Sequence, residues 1–195
     1  MKVKNLYDKL VIKSTEFCRK KNSKFYLYFI SFIESIIFPL PTDIFLIPFI
    51  LANKKNYLRI SLIVSIFSVL GGIFAYYIGF FIWTEIEPTL SQIFPDYISK
   101  LKDFNEKFYE IGLILVVIGG FSPFPYKITC IGSGILGISI LPFIVFSFLS
   151  RFLRFYLVSF FVYKYGEKTN EIVGKYINVI SLGLVFFLFI YFLFL

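Results

Sequence analysis

The chain has 195 residues, of which 58% are hydrophobic, 28 are Phe and 14 are Tyr. Counting the 12 glycines, the apolar share is about 64% against roughly 45 to 50% in an ordinary soluble domain, which excludes a water-soluble enzyme and fits one membrane domain of a few spans. Twenty basic against 12 acidic residues leave a formal net charge of +8; the positive residues stand beside apolar runs, the pattern of a chain facing anionic lipid, so nucleic acid is not an expected partner.

Residues 1–24 carry eight basic residues less Asp8 and Glu16, a net of +6. Leu6, Leu10, Ile12 and Phe17 make this a basic amphipathic segment suited to the membrane surface, and no cleavable signal is expected because it lacks an apolar core. Residues 25–53 are apolar except for Glu34 and Asp43, and contain Pro39, Pro41 and Pro48. As one straight helix, 25–52 would measure about 42 Å, more than the roughly 30 Å hydrocarbon core needs, so a broken element is expected. Lys54, Lys55 and Arg59 form a basic connection to an uncharged run at 60–83, long enough to span. In that run Ser61, Ser65, Ser68, Gly72, Ala75 and Gly79 recur at spacings of four and three, which puts small residues on one face for close helix approach.

An acidic connecting loop is expected at 84–110, where six acids and three lysines give −3, with Ile98, Leu101, Phe104 and Phe108 as a short amphipathic helix. The apolar region at 111–150 is again interrupted, by Pro123, Pro125 and Lys127 and then by Gly132, Gly134 and Gly137. It leads into a span from about Ile140 past Arg151 and Arg154 to Tyr163; after a polar stretch at 164–175, the uncharged run 176–195 reads as a final transmembrane helix. Charge bias puts the N-terminus on the cytoplasmic side, so 25–52 enters and returns there while the acidic loop lies outside. Cys18 and Cys130 stand in unrelated contexts, so no disulfide framework is expected, and with no histidine the usual mixed zinc sites and imidazole catalysis are excluded. No cofactor or metal is expected.

The two broken elements echo each other: Phe38-Pro39-Leu40-Pro41-Thr42-Asp43-Ile44 against Ser122-Pro123-Phe124-Pro125-Tyr126-Lys127-Ile128. Proline removes a donor and opposes the preceding turn, so each P-x-P opens the backbone at a chosen depth. The exposed groups need protein or water there. Two oppositely oriented copies would set Asp43 against Lys127 across a pseudo-twofold axis, and these two are expected to pair in one state and part in another. A break at Pro39 and Pro41 also lets Glu34 and Asp43 face one cavity, as proton exchange would need; anchoring of the turn is the alternative. Arg151 and Arg154 share a helix face in an apolar stretch, and should meet protein, water or a phosphate-bearing ligand. A salt bridge to Glu34 or Asp43 is the structural alternative.

The runs Glu34-Ser35-Ile36-Ile37-Phe38-Pro39-Leu40-Pro41-Thr42-Asp43, Gly120-Phe121-Ser122-Pro123-Phe124-Pro125-Tyr126-Lys127 and Arg151-Phe152-Leu153-Arg154 together resemble the DedA family. Its shared domain is also called the SNARE-associated or VTT domain, and the resemblance is closest to the YqaA-like branch, over approximately 5–175. It implies an all-α integral membrane protein with an inverted pair of re-entrant helical hairpins packed with transmembrane helices. It further implies a flippase or scramblase for a phosphate-bearing lipid, such as undecaprenyl phosphate or a phospholipid, in the cell inner (plasma) membrane.

On that reading Glu34 and Asp43 serve transport and proton coupling, Arg151, Arg154 and Lys127 bind the lipid phosphate, and Pro39, Pro41, Pro123 and Pro125 break the helices. Partners are membrane lipids and protons, with oligomerisation left open. A membrane scaffold or assembly factor is the alternative, which would survive neutralisation of both charge partners together. An intramembrane enzyme lacks histidine and a second catalytic signature beside the carboxylates, so no enzymatic activity is expected.

Overall fold

A computed structural model of the chain describes residues 23–37, 41–95, 109–122 and 125–166. The basic segment at 1–22, Pro39, Pro123, the expected amphipathic helix after Pro95 and the expected final span at 176–195 lie outside the described residues. Among the described residues every regular element is helical.

Helix α1 spans Ser23–Glu34. It buries Leu27, Ser31 and, in the turn that follows, Ser35, a four-residue rhythm that keeps one face inward. The turn closes with Ile36 and Ile37 amides donating to the Ile33 carbonyl. Helix α2 spans Asp43–Ala52. Leu46 through Ile50 are all buried, so over these residues every face of α2 packs inward. Pro48 rides inside this helix and the interruption lies wholly before it. A 3-10 turn at Lys54–Asn56 delivers the chain to α3, Tyr57–Ile93.

The second half repeats this order. Helix α4 spans Tyr109–Phe121, a break with Pro125 in extended conformation follows, and α5 spans Tyr126–Ile135. Helix α5 ends where Ile138 N donates to Ser133 O and Gly137 N to Gly134 O. Gly137 there has φ +65°, the left-handed conformation this helix ending requires. Helix α6 then runs over Ile140–Tyr165.

Only α3 with its preceding turn and α6 are long and apolar enough to cross a membrane among the described residues. They run antiparallel. Tyr57 stacks on Tyr163, Ser61 meets the Phe155 carbonyl, Ser68 meets Arg151, and Tyr76 packs on Phe143, so numbers fall on α6 as they rise on α3. The halves interlock: α1 packs on α3 and α4 on α6, while α2 crosses to α6 and α5 to α3. Two apolar cores result, both built across the halves. One joins Leu46 and Ile50 of α2 to Val64 of α3 and Phe155, Val158 and Val162 of α6. The other joins Tyr126 and Cys130 of α5 to Ala75 and Tyr76 of α3, Val116 of α4 and Phe143 of α6.

The small-residue stripe makes this interlock close. All six of its members, Ser61 to Gly79, are buried. A Cβ on Gly79 would strike the Ile131 carbonyl, and one on Gly134 the Tyr76 carbonyl, so α3 and α5 touch backbone to backbone.

Helix α3 does not stop where polarity begins. It carries Glu85, Glu87 and Pro88 in its last turns, although the sequence suggests a connecting loop from 84. Glutamate is a good helix former, so the charges end the apolar stretch without ending the helix.

Candidate functional site

Ser68 and Arg151 each stand eleven positions beyond the first residue of their helices, α3 and α6. They meet between the two apolar cores, and both helix breaks converge on them. Glu34 closes α1, Asp43 opens α2, and Phe121 and Ser122 close α4. Antiparallel α3 and α6 bring these ends together because α1 leans on one long helix and α4 on the other.

Arg151 Nη2 donates to Glu34 Oε2 at 2.6 Å, and Arg151 Nε donates to Ser68 Oγ at 2.7 Å. The Ser68 hydroxyl also pairs with that of Ser35 at 2.9 Å, tying α1 to α3. Thr42 Oγ1 donates to the same Glu34 oxygen at 3.0 Å, so this carboxylate spans the first break. The Arg151 guanidinium lies between two rings, 4.8 Å from the Tyr126 centroid and 4.6 Å from that of Phe155. Such contacts add attraction where water is excluded.

Arg154 Nη2 donates to Asp43 Oδ2 at 2.6 Å. Its Nη1 donates to the carbonyls of Phe121 and Ser122. One guanidinium therefore ties the start of α2 to the end of α4. Helix dipoles favour both ends of this tie, an acid at a helix N-terminus and a cation at a helix C-terminus. Side-chain exposure is 3% for Arg151 and 15% for Glu34, against 12% for Arg154 and 18% for Asp43. The second pair is less completely bonded: Asp43 Oδ1 and Arg154 Nε are buried without a hydrogen-bond partner.

Of the residues singled out by sequence, Glu34, Asp43, Arg151 and Arg154 come together here. Lys127 Nζ instead donates to the Ile37 carbonyl at 3.0 Å, three residues past Glu34. In this arrangement the cation on Asp43 is Arg154, not Lys127, because α2 packs on α6. Pro41 and Pro125 stand in the breaks, while Pro39 and Pro123 lie outside the described residues. Sequence reasoning missed Ser35, Thr42 and Tyr126. Ser31 and Ser35, four apart at the end of an apolar run, were the available signal. No group of three or more metal-ligating side chains occurs among the described residues.

The VTT domain family profile matches residues 40–164, which takes in both breaks from Pro41 onward and both arginines. The chain is 34% identical over 173 residues to an uncharacterized protein of Haemophilus influenzae, a match covering 89% of each chain. It is 31% identical over 163 residues to an uncharacterized protein of Histophilus somni, with 84% of this chain and 82% of the relative covered. An uncharacterized protein of Methanocaldococcus jannaschii is 27% identical over 130 residues, covering 67% of this chain and 78% of its own. No solved structure matches the chain.

Proposed function

Since the chain belongs to the DedA (SNARE-associated) family of VTT-domain membrane proteins, we propose that it moves a phosphate-bearing lipid between leaflets. Undecaprenyl phosphate or a phospholipid is the expected cargo, and a proton the coupled ion. One observation carries this reading: two arginine–carboxylate pairs meet where both helix breaks converge between two apolar cores. Ser68 and Arg151 lie about 17 Å along their helices, roughly half of a 30 Å hydrocarbon core. Charges at that depth face protein, water or a ligand. The short arms, of 12, 10, 13 and 10 residues, are each too short to cross, in keeping with two re-entrant hairpins. Antiparallel α3 and α6 would then make the hairpins enter from opposite sides.

In this mechanism the arginines attract the phosphate, Glu34 and Asp43 exchange a proton as their cations are engaged, and acyl chains stay in lipid. The basic flanks favour the inner membrane with a cytoplasmic N-terminus. That both arginines already have carboxylate partners favours one second reading, a scaffold whose charges only hold the fold.

Proteoliposome leaflet exchange tests the proposal. Wild-type protein should accelerate exchange of undecaprenyl phosphate or phospholipid over empty liposomes, and a pH gradient should change the rate. No acceleration for either lipid would remove the transport reading.

A further inference from the structure

We propose that the two arginine–carboxylate pairs have different roles: a lipid phosphate occupies Arg154, with Lys127 as second cation, by displacing Asp43, whereas Arg151 is a fixed staple that no ligand touches. This rests on the lipid-transport reading and narrows it: of the two arginines that reading assigns to the phosphate, only Arg154 receives the head group, and the Arg151–Glu34 pair stays closed.

Arg151 is the more enclosed of the two arginines, its side chain 3% exposed against 12% for Arg154. Its Nη2 and Nε are held by Glu34 and Ser68, and the Tyr126 and Phe155 ring centroids stand 4.8 and 4.6 Å from its guanidinium carbon. Glu34 is held in turn by Thr42. A phosphate could reach Arg151 only by dismantling the contact that joins α1, α3, α5 and α6.

Arg154 is different. Asp43 engages only its Nη2, while the adjacent Nε is buried without an acceptor and Asp43 Oδ1 is buried without a donor. A phosphate presents oxygens that can bridge Nε and Nη2 together, the fork geometry the aspartate leaves half used. Nη1 keeps its hold on the α4 carbonyls throughout, so the guanidinium stays aimed. Displacing Asp43 costs one charge-assisted hydrogen bond, that of its Oδ2, because its Oδ1 has no donor to lose.

Lys127 suits the second place. It sits in the first turn of α5, where a cation opposes the helix dipole, and its Nζ is held by a neutral acceptor, the Ile37 carbonyl. Among the described residues the flank beside it is exposed: Ile37 is 74% exposed and Ile128 52%, and Pro41 and Pro125 are exposed as well. A lipid can approach this flank with its tails in the bilayer.

The test is titration of the full-length protein in neutral detergent with dihexanoyl phosphatidic acid, using dihexanoyl glycerol as the phosphate-free control, beside thermal unfolding of each variant. Arg154→Lys and Lys127→Met should each raise the Kd for phosphatidic acid about tenfold, the loss of one charge-assisted hydrogen bond. Asp43→Asn should hold or tighten binding, because the competing carboxylate charge is gone. Arg151→Lys and Ser68→Ala should lower the melting temperature and leave the Kd at the wild-type value. Equal weakening by Arg151→Lys and Arg154→Lys, or a wild-type protein that does not prefer phosphatidic acid to the glycerol, overturns the assignment. Binding with this pattern but no leaflet exchange would remove the transport reading and leave the site. Exchange with equal effects at both arginines would do the reverse.

Discussion

Arg151 and Arg154 differ in what surrounds them more than in what they are. Removing one partner of a largely buried pair leaves an uncompensated charge, so Arg151→Ala should cost about 3 kcal/mol of stability. The apolar double replacement Glu34→Leu with Arg151→Met should recover most of that loss, because it removes both charges at once. Thermal unfolding in a fixed detergent checks this, and a double variant as unstable as the single one would contradict it. The sequence made the need for partners plain, since four charges in apolar runs must be satisfied by something. It did not say which joins which. The repeat aligns Asp43 with Lys127, but α2 leans on α6 and so meets Arg154.

At the scale of elements, the serine and glycine stripe on α3 was legible because helix periodicity alone puts its members on one side. Its partners were not, since they come from α1, α5 and α6. Gly79→Ala and Gly134→Ala should each cost about 1 to 3 kcal/mol, because the added methyl meets a carbonyl on the facing helix. Gly132→Ala, with nothing within 4 Å of its Cβ, should leave stability unchanged or raise it by up to about 1 kcal/mol through helix propensity. Melting temperatures of the three variants make the comparison, and equal effects would contradict the close α3–α5 approach. Helix ends were read less well. Pro48 and Pro88 both lie inside helices, although an interior proline loses a backbone donor and crowds the preceding turn; burial of Pro48 in the core offsets that cost, and nothing in the structure explains the tolerance at the exposed Pro88.

For the whole molecule, two short-arm units and two long helices interlock so that each apolar core draws on both halves. Neither half can bury its own core alone. The P-x-P echo made the duplication readable, whereas the exchange of α2 and α5 between halves is a tertiary fact with no local signature. On the transport reading, opening the Asp43–Arg154 pair would shift one half against the other, because that pair joins α2 of the first half to α6 of the second. That is the movement expected of a carrier built from repeats.

Leaflet exchange of a phosphate-headed lipid by reconstituted wild type and by the neutralised pair Asp43→Asn/Arg154→Gln, at equal amounts of folded protein, bears most directly on whether these charges carry the lipid. The account predicts fast exchange by the wild type and a double variant no faster than empty liposomes. A double variant that keeps the wild-type rate would mean that the charges serve the fold alone.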